Sequence, residues 1–146
     1  MNRTKILVKY ASENCTEDDV VRNTPMMHSV FYGHVEMVRV LLEGGANVEM
    51  ANGNQRTALH IAASYGNLEM CRLLLDWGAK VDPVDKWKET PLHDAARQGY
   101  LSVVKLLVER GADDKEKNDN GRTASDLARF WKMIAMAEWL DSESRG

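Results

Sequence analysis

Apolar residues come in short bursts divided by polar stretches, and the bursts have helical spacing. In the middle of the chain Leu59, Ala62 and Ala63 share one helical face, and beyond a glycine Leu68, Cys71, Leu74 and Leu75 share another. This pattern predicts two short antiparallel helices. Thr57 opens the first, since its hydroxyl can accept from an orphan amide of the first turn. Gly66 allows the left-handed residue that ends it and reverses the chain. Gly78-Ala79 closes the second helix, and residues 80–89 then cross to the next unit as an extended finger with Val81 and Val84 alternating. The alanines imply close helix-to-helix approach. A pair this small cannot bury its apolar face alone, so the units must stack.

The same punctuation recurs at a fixed period. Thr24, Thr57, Thr90 and Thr123 are each 33 residues apart, and Gly33, Gly66 and Gly99 keep the same interval. So do Gly45, Gly78 and Gly111, each followed by alanine. The threonines open the sequences Thr90-Pro91-Leu92-His93-Asp94-Ala95 and Thr57-Ala58-Leu59-His60-Ile61-Ala62. A 33-residue unit carrying this Thr-Pro-Leu-His-x-Ala element resembles the ankyrin-repeat family, over roughly residues 1 to 140. The resemblance implies an all-α fold, an ankyrin-repeat solenoid of helix-turn-helix units with β-hairpin-like fingers. On this register residues 1–146 form a single ankyrin-repeat domain. Residues 1–18 are a partial N-terminal repeat or cap, 19–51, 52–84 and 85–117 are repeats, 118–140 a C-terminal capping repeat and 141–146 a tail expected to fray.

The pattern bends at both ends. Ile6, Leu7 and Val8 fall one period before Arg39, Val40 and Leu41, so the first unit lacks its first helix and is either a divergent cap or the cut edge of a longer array. Met26, Met27 and His28 replace Leu-His-Leu in the first full repeat, which puts the Thr/His bonds of that turn in doubt. In the last unit Ser125 and Asp126 replace Leu-His and Lys132 replaces the turn glycine, as suits a cap. Gln55 and Lys88 stand where the family's fingers usually carry glycine.

Composition narrows the function without naming it. Hydrophobic residues make up 44% and charged residues 28%, ordinary for a folded domain. The 19 basic and 22 acidic side chains are mixed along the chain and give a net charge of -3, so no footprint for nucleic acid or anionic lipid stands out. No run is long enough for a membrane span or a signal core. Cys15 and Cys71 have no ligand spacing, which argues against zinc and a disulfide framework and suits the cytoplasm or nucleus. Cys71 shares its register place with Val38 and Val104 and is expected to be a small core hydrophobe. Glu17-Asp18-Asp19 lacks the spacing of a calcium loop, and Asn118-Asp119-Asn120-Gly121 reads as a finger tip.

No nucleophile–base pair, phosphate loop or metal set is present in the pattern, so no enzyme and no cofactor is expected. The resemblance assigns His60 and His93 to bracing the finger against the helix. It also assigns Phe31, Tyr32, Tyr65, Trp77, Trp87, Phe130 and Trp131 to places that vary in the family and line a concave groove or its lip. Large apolar groups there read as an interaction surface, because Trp and Tyr carry much of the energy of protein interfaces. Asn54, Arg56, Lys86, Glu89, Arg97 and Gln98 would supply a polar rim of mixed sign, which disfavours a purely acidic or basic partner. The expected function is a protein-interaction module, an adaptor or scaffold, that binds a helix, loop or extended peptide of another protein; an inhibitory subunit masking a partner's site is the alternative. The expected state is a monomer.

Overall fold

The structure, a computed structural model, describes residues 23–144. The partial first repeat, with Cys15 and the Glu17-Asp18-Asp19 run, lies outside the described residues. Those residues form four helix pairs: α1 (Pro25–Phe31) with α2 (Val35–Glu43), α3 (Ala58–Ser64) with α4 (Leu68–Asp76), α5 (Pro91–Gln98) with α6 (Leu101–Glu109), and α7 (Ala124–Phe130) with α8 (Ile134–Ser144). First helices pack in one row, α1 on α3, α3 on α5 and α5 on α7; second helices form the other, α2 on α4 and α4 on α6. The core fills the space between the rows. Ala62, Ala63, Ala95, Ala96 and Ala128 are buried where first helices meet, and Leu74, Leu107, Val38 and Cys71 fill the second row.

A repeated hydrogen-bonded bridge fastens unit to unit. The Thr57 N–H donates to His60 Nδ1 at 3.1 Å, and the opposite ring nitrogen, Nε2, lies 2.9 Å from the Glu89 carbonyl. Since Nδ1 accepts, Nε2 carries the proton and donates to that carbonyl. His93 repeats the arrangement with Thr90 (3.0 Å) and the Arg122 carbonyl (3.1 Å). Burial pushes the His60 imidazole down to about 4 and lowers His93 as well. In the first repeat Met27, fully buried, fills the histidine's place, and Thr24 caps the helix through the Met27 N–H at 3.2 Å. The Thr/His bonds are replaced there by apolar filling. In the last unit Asp126 takes over half of the task, accepting from the Thr123 N–H at 2.9 Å.

The fingers are tight turns, with no strand among the described residues. Each turn is organised by one side-chain oxygen that accepts from amides two and four residues ahead. Asn52 takes Asn54 and Arg56, Asp85 takes Trp87 and Glu89, and Asn118 takes Asn120 and Arg122, all within 2.9–3.0 Å. Adjacent fingers are joined by Lys86 N–H to the Asn54 carbonyl and Asp119 N–H to the Trp87 carbonyl, each 3.0 Å. The turn demands a left-handed residue, which Gly121 supplies in the last finger (φ 73°) while Gln55 and Lys88 are forced to φ 62° and 60°. Lys132 holds φ 63° at the inter-helix turn where Gly33, Gly66 and Gly99 otherwise stand. Helix α8 continues to Ser144 because Asp141 is fixed from below by Ser125 (2.8 Å) and by an ion pair with Arg129.

Relief of the left-handed strain, less the greater backbone entropy of glycine, leads us to expect that Gln55→Gly, Lys88→Gly and Lys132→Gly each stabilise the fold by roughly 0.5–1 kcal/mol. Urea unfolding followed by circular dichroism checks this, and a loss of stability in all three would refute the strain argument. The histidine bridges predict a pH effect. A buried imidazole with a lowered pKa binds fewer protons folded than unfolded, so its stabilisation is full above about 6.5 and is lost as pH falls towards 4. His60 alone accounts for on the order of 3 kcal/mol over that window. In a His60→Asn variant the unfolding free energy should be lower at neutral pH and depend less steeply on acid.

Candidate partner-binding groove

Residues one period apart form rows across the face made by the fingers and the first helices. Asn23, Arg56, Glu89 and Arg122 stand at the finger bases; Phe31, Ser64, Arg97 and Phe130 stand near the ends of the first helices. The two rows touch. Arg97 forms an ion pair with Glu89, and the Arg122 guanidinium lies 4.7 Å from the centre of the Phe130 ring. Finger base and helix end therefore form one continuous surface.

The middle of this surface is an ion network. Arg56 donates to Asp85 at 2.7 Å and to Asp94 at 2.8 Å, Arg97 holds Glu89 and approaches Asp94 at 3.4 Å, and Asn118 donates to Glu89 at 3.1 Å. The carboxylates of Asp85 and Asp94 are buried. Burial raises the Asp94 carboxyl to about 6 against the pull of Arg56 and Arg97. Burial also works against the charge of Arg56, yet Asp94 and Asp85 together hold it above its ordinary range. Of the expected polar rim, Arg56, Glu89 and Arg97 each pair with a charge inside the stack. Asn54, Lys86 and Gln98 remain, with Lys86 resting 4.6 Å over the Trp87 ring.

All seven proposed aromatics are exposed, from 44% for Trp77 and Trp87 to 68% for Tyr32. Six of them divide into groups. Phe31 meets Tyr32 edge-on at 5.0 Å and Tyr65 at 4.9 Å, with His34 beside Tyr32 at 6.1 Å. Phe130 meets Trp131 at 5.2 Å in the last unit, and Trp87 stands on the third finger. The structure does not bring Trp77 to them. It closes α4, in the row of second helices, next to Asp76, which binds Arg110 of the following unit at 2.7 Å. Trp77 makes no ring contact with the other six. Of the remaining aromatics, Tyr100 packs over Gly66, where a Cβ would lie 2.7 Å from its ring, and Trp139 is half-buried under Lys105.

The titratable groups that could suggest chemistry have structural tasks. His60 and His93 are locked in their bridges, and burial drives the Cys71 thiol up to about 12, far from a reactive thiolate. Among the described residues no group of His, Cys, Asp or Glu could hold a metal ion, and no helix is long and apolar enough to cross a membrane. Asp85 and Asp94, which organise the network, did not stand out in the sequence, and Asn118 stood out as part of a finger tip and not as a partner of Glu89. The only signal was the recurrence of Asn52, Asp85 and Asn118 at the period of 33.

Stacked helix pairs with a continuous surface across first helices and fingers define a repeat solenoid, the architecture of extended recognition surfaces. The chain belongs to the ankyrin-repeat family: a family model described as ankyrin repeats (3 copies) matches residues 2–85, and one described as ankyrin repeats (many copies) matches residues 81–128. Such repeats are protein-protein interaction modules. Among curated proteins the chain is similar to "Putative palmitoyltransferase ZDHHC13" of Danio rerio, 41% identical over 59 residues, which is 40% of this chain and 9% of that protein. It is also similar to Inversin of Gallus gallus, 39% identical over 57 residues, 39% of this chain and 5% of that protein. The chain thus spans less than a tenth of either relative's length. Both matches are shorter than two 33-residue units.

Removing Arg56 leaves Asp85 and Asp94 buried without their main counter-charge, a loss of about 3 kcal/mol for Arg56→Met. The penalty should be smaller at pH 5 than at pH 7.5, since protonation of Asp94 removes one of the orphaned charges. Urea unfolding of both chains at both pH values measures this difference. An equal penalty at the two pH values would show that Asp94 is not the group left unpaired.

Proposed function

We propose that this chain is a non-enzymatic recognition module that holds a segment of a partner protein along the face made by its fingers and first helices, as an adaptor or scaffold. The observation that carries this reading is the placement of solvent-exposed aromatic groups at both ends of one face, Phe31, Tyr32 and Tyr65 at one and Phe130 and Trp131 at the other. Edge-on pairing fixes the rings before a partner arrives, which lowers the ordering cost of binding. Between them the charged groups of the floor are paired with one another, so a partner need not supply counter-ions to most of them. First-helix rows pack about 10 Å apart, which puts the two aromatic groups roughly 30 Å from each other across three spacings. About nine extended residues, or about twenty helical ones, span that distance. The same proposal takes the chain to be a monomer in the cytoplasm or nucleus that binds neither nucleic acid nor membrane, supported by its net charge of -3.

The test removes one ring from each end. Capture of partners from cell lysate on immobilised wild-type chain is compared with a Tyr65→Ala/Phe130→Ala double variant of matched helicity and unfolding midpoint. Both rings are exposed, so folding should be little changed, while a partner held by both ends should bind about thirtyfold or more weakly. An unchanged set of bound proteins at unchanged strength would rule out this face.

A further inference from the structure

The charged groups of the groove fall into two sets. Arg56 and Arg97 are paired with Asp85, Glu89 and Asp94 within the floor, two cations against three buried carboxylates, so the network itself keeps one surplus negative charge. Outside the network, Lys86, Lys88 and Arg122 stand on the last two fingers, and Lys132 stands in the inter-helix turn of the last unit, next to Trp131. The acidic groups set against them are Asp119, at the last finger tip, and Asp126, whose carboxylate is engaged by the Thr123 N–H. Cations exceed carboxylates among these groups by two, and by one when the surplus carboxylate of the network is counted, although the chain as a whole carries -3. They are also interleaved with aromatic rings: Lys86 lies over Trp87, Arg122 over Phe130, and Lys132 directly follows Trp131.

A second observation points the same way. Lys132 keeps lysine at φ 63° where the three preceding units use glycine, and Lys88 keeps it at φ 60° where the following finger uses Gly121 and the preceding one holds Gln55 at φ 62°. A side chain retained at a conformational cost marks a position with another task. Both of these lysines are exposed and belong to the cationic set.

We infer that the partner segment is acidic, with large apolar side chains set among its carboxylates. Resting on the groove reading above, this assigns its apolar anchors to Trp87, Phe130 and Trp131 and its carboxylates to Lys86, Lys88, Arg122 and Lys132. The N-terminal end, where Tyr32 and Tyr65 stand with Ser64 and Gln98, receives an uncharged apolar portion of the same segment. Mixed signs in the sequence concealed this preference, because the anionic half of the mixture is spent inside the stack. Binding of this kind weakens as salt screens the exposed pairs.

The experiment selects peptides from a displayed random library on the full chain, in parallel with a Lys86→Glu/Lys88→Glu/Arg122→Glu variant and with the Tyr65→Ala/Phe130→Ala variant. A milder Lys86→Gln/Lys88→Gln chain serves if the reversed variant unfolds. The expected result is enrichment of Asp and Glu together with Phe, Trp, Leu or Ile on the wild-type chain only. The best synthetic peptide should bind the charge-reversed chain about tenfold more weakly and lose affinity with rising salt. Neutral apolar peptides selected equally on wild-type and charge-reversed chains, but lost on the Tyr65→Ala/Phe130→Ala chain, would overturn the acidic preference and leave the groove standing. Peptides indifferent to all the substitutions, or no enrichment at all, would overturn both. Vesicles of phosphatidylserine and phosphatidylcholine form the last arm: charge-dependent binding to these without selection of acidic peptides would make the occupant a lipid surface and overturn the inference.

Discussion

The stack depends on a buried imidazole that ties the start of one repeat to the finger of the next. His60 and His93 each spend one ring nitrogen on the threonine amide of their own helix and the other on a carbonyl 29 residues along. That carbonyl belongs to Glu89 or Arg122, the residues at the finger bases. The bridge therefore fixes the height at which each finger base meets the next helix, and with it the row from which Arg97 and Phe130 are reached. A neutral imidazole suits this, being able to accept on one side and donate on the other without a charge to bury. Where the bridge is absent the coupling changes character: Met27 contributes packing, and Asp126 caps its own helix through the Thr123 amide.

Fixing the finger bases in register also explains the ion network. Five charged groups at the floor would be a liability if their spacing were loose, because a buried carboxylate without a partner costs several kcal/mol. The fingers supply the needed precision, since Asp85 is held by two backbone amides of its own turn before it meets Arg56. The network then links repeats that are adjacent in space, with Arg56 reaching across to Asp94 on α5 and Asn118 reaching back to Glu89. A repeat protein is held by nearest-neighbour terms. Here a large part of two such terms is polar and buried.

The period, the helix pairs and the turn glycines were legible in the sequence because they are local and repeat, and the two altered threonine-histidine turns were visible as departures from the period. The histidine roles came from family resemblance and acquired a physical account only when Nδ1 and Nε2 could be seen to face different partners. The network was not legible. Apart from Asp94 and Arg97, three apart on one helix, its ion pairs join residues 8, 29 and 38 apart, and nothing at those separations distinguishes a paired charge from a solvated one. Arg56, Glu89 and Arg97 looked like rim residues for that reason. Trp77 is a different case: its exposure was anticipated, but exposure alone does not say which row of helices a residue ends. The extension of α8 came from Asp141, a residue that reads as polar tail until Ser125 and Arg129 are placed beneath it.

Pairing the charges of the floor with one another changes what the surface can discriminate. Had Arg56 and Arg97 been free, the groove would present five charges of both signs and would favour a partner of matching alternation. With them spent, the remaining field comes from a few lysines and Arg122 beside rings whose faces already attract cations. An approaching carboxylate competes with the ring for Lys86 and Arg122, and in doing so uncovers the aromatic face for an apolar neighbour of that carboxylate. The two kinds of contact are thereby coupled, and a segment offering only one would gain less from this face than a segment offering both. The strained lysines fit that coupling, since glycine at the same turns would relax the backbone and remove the charge together.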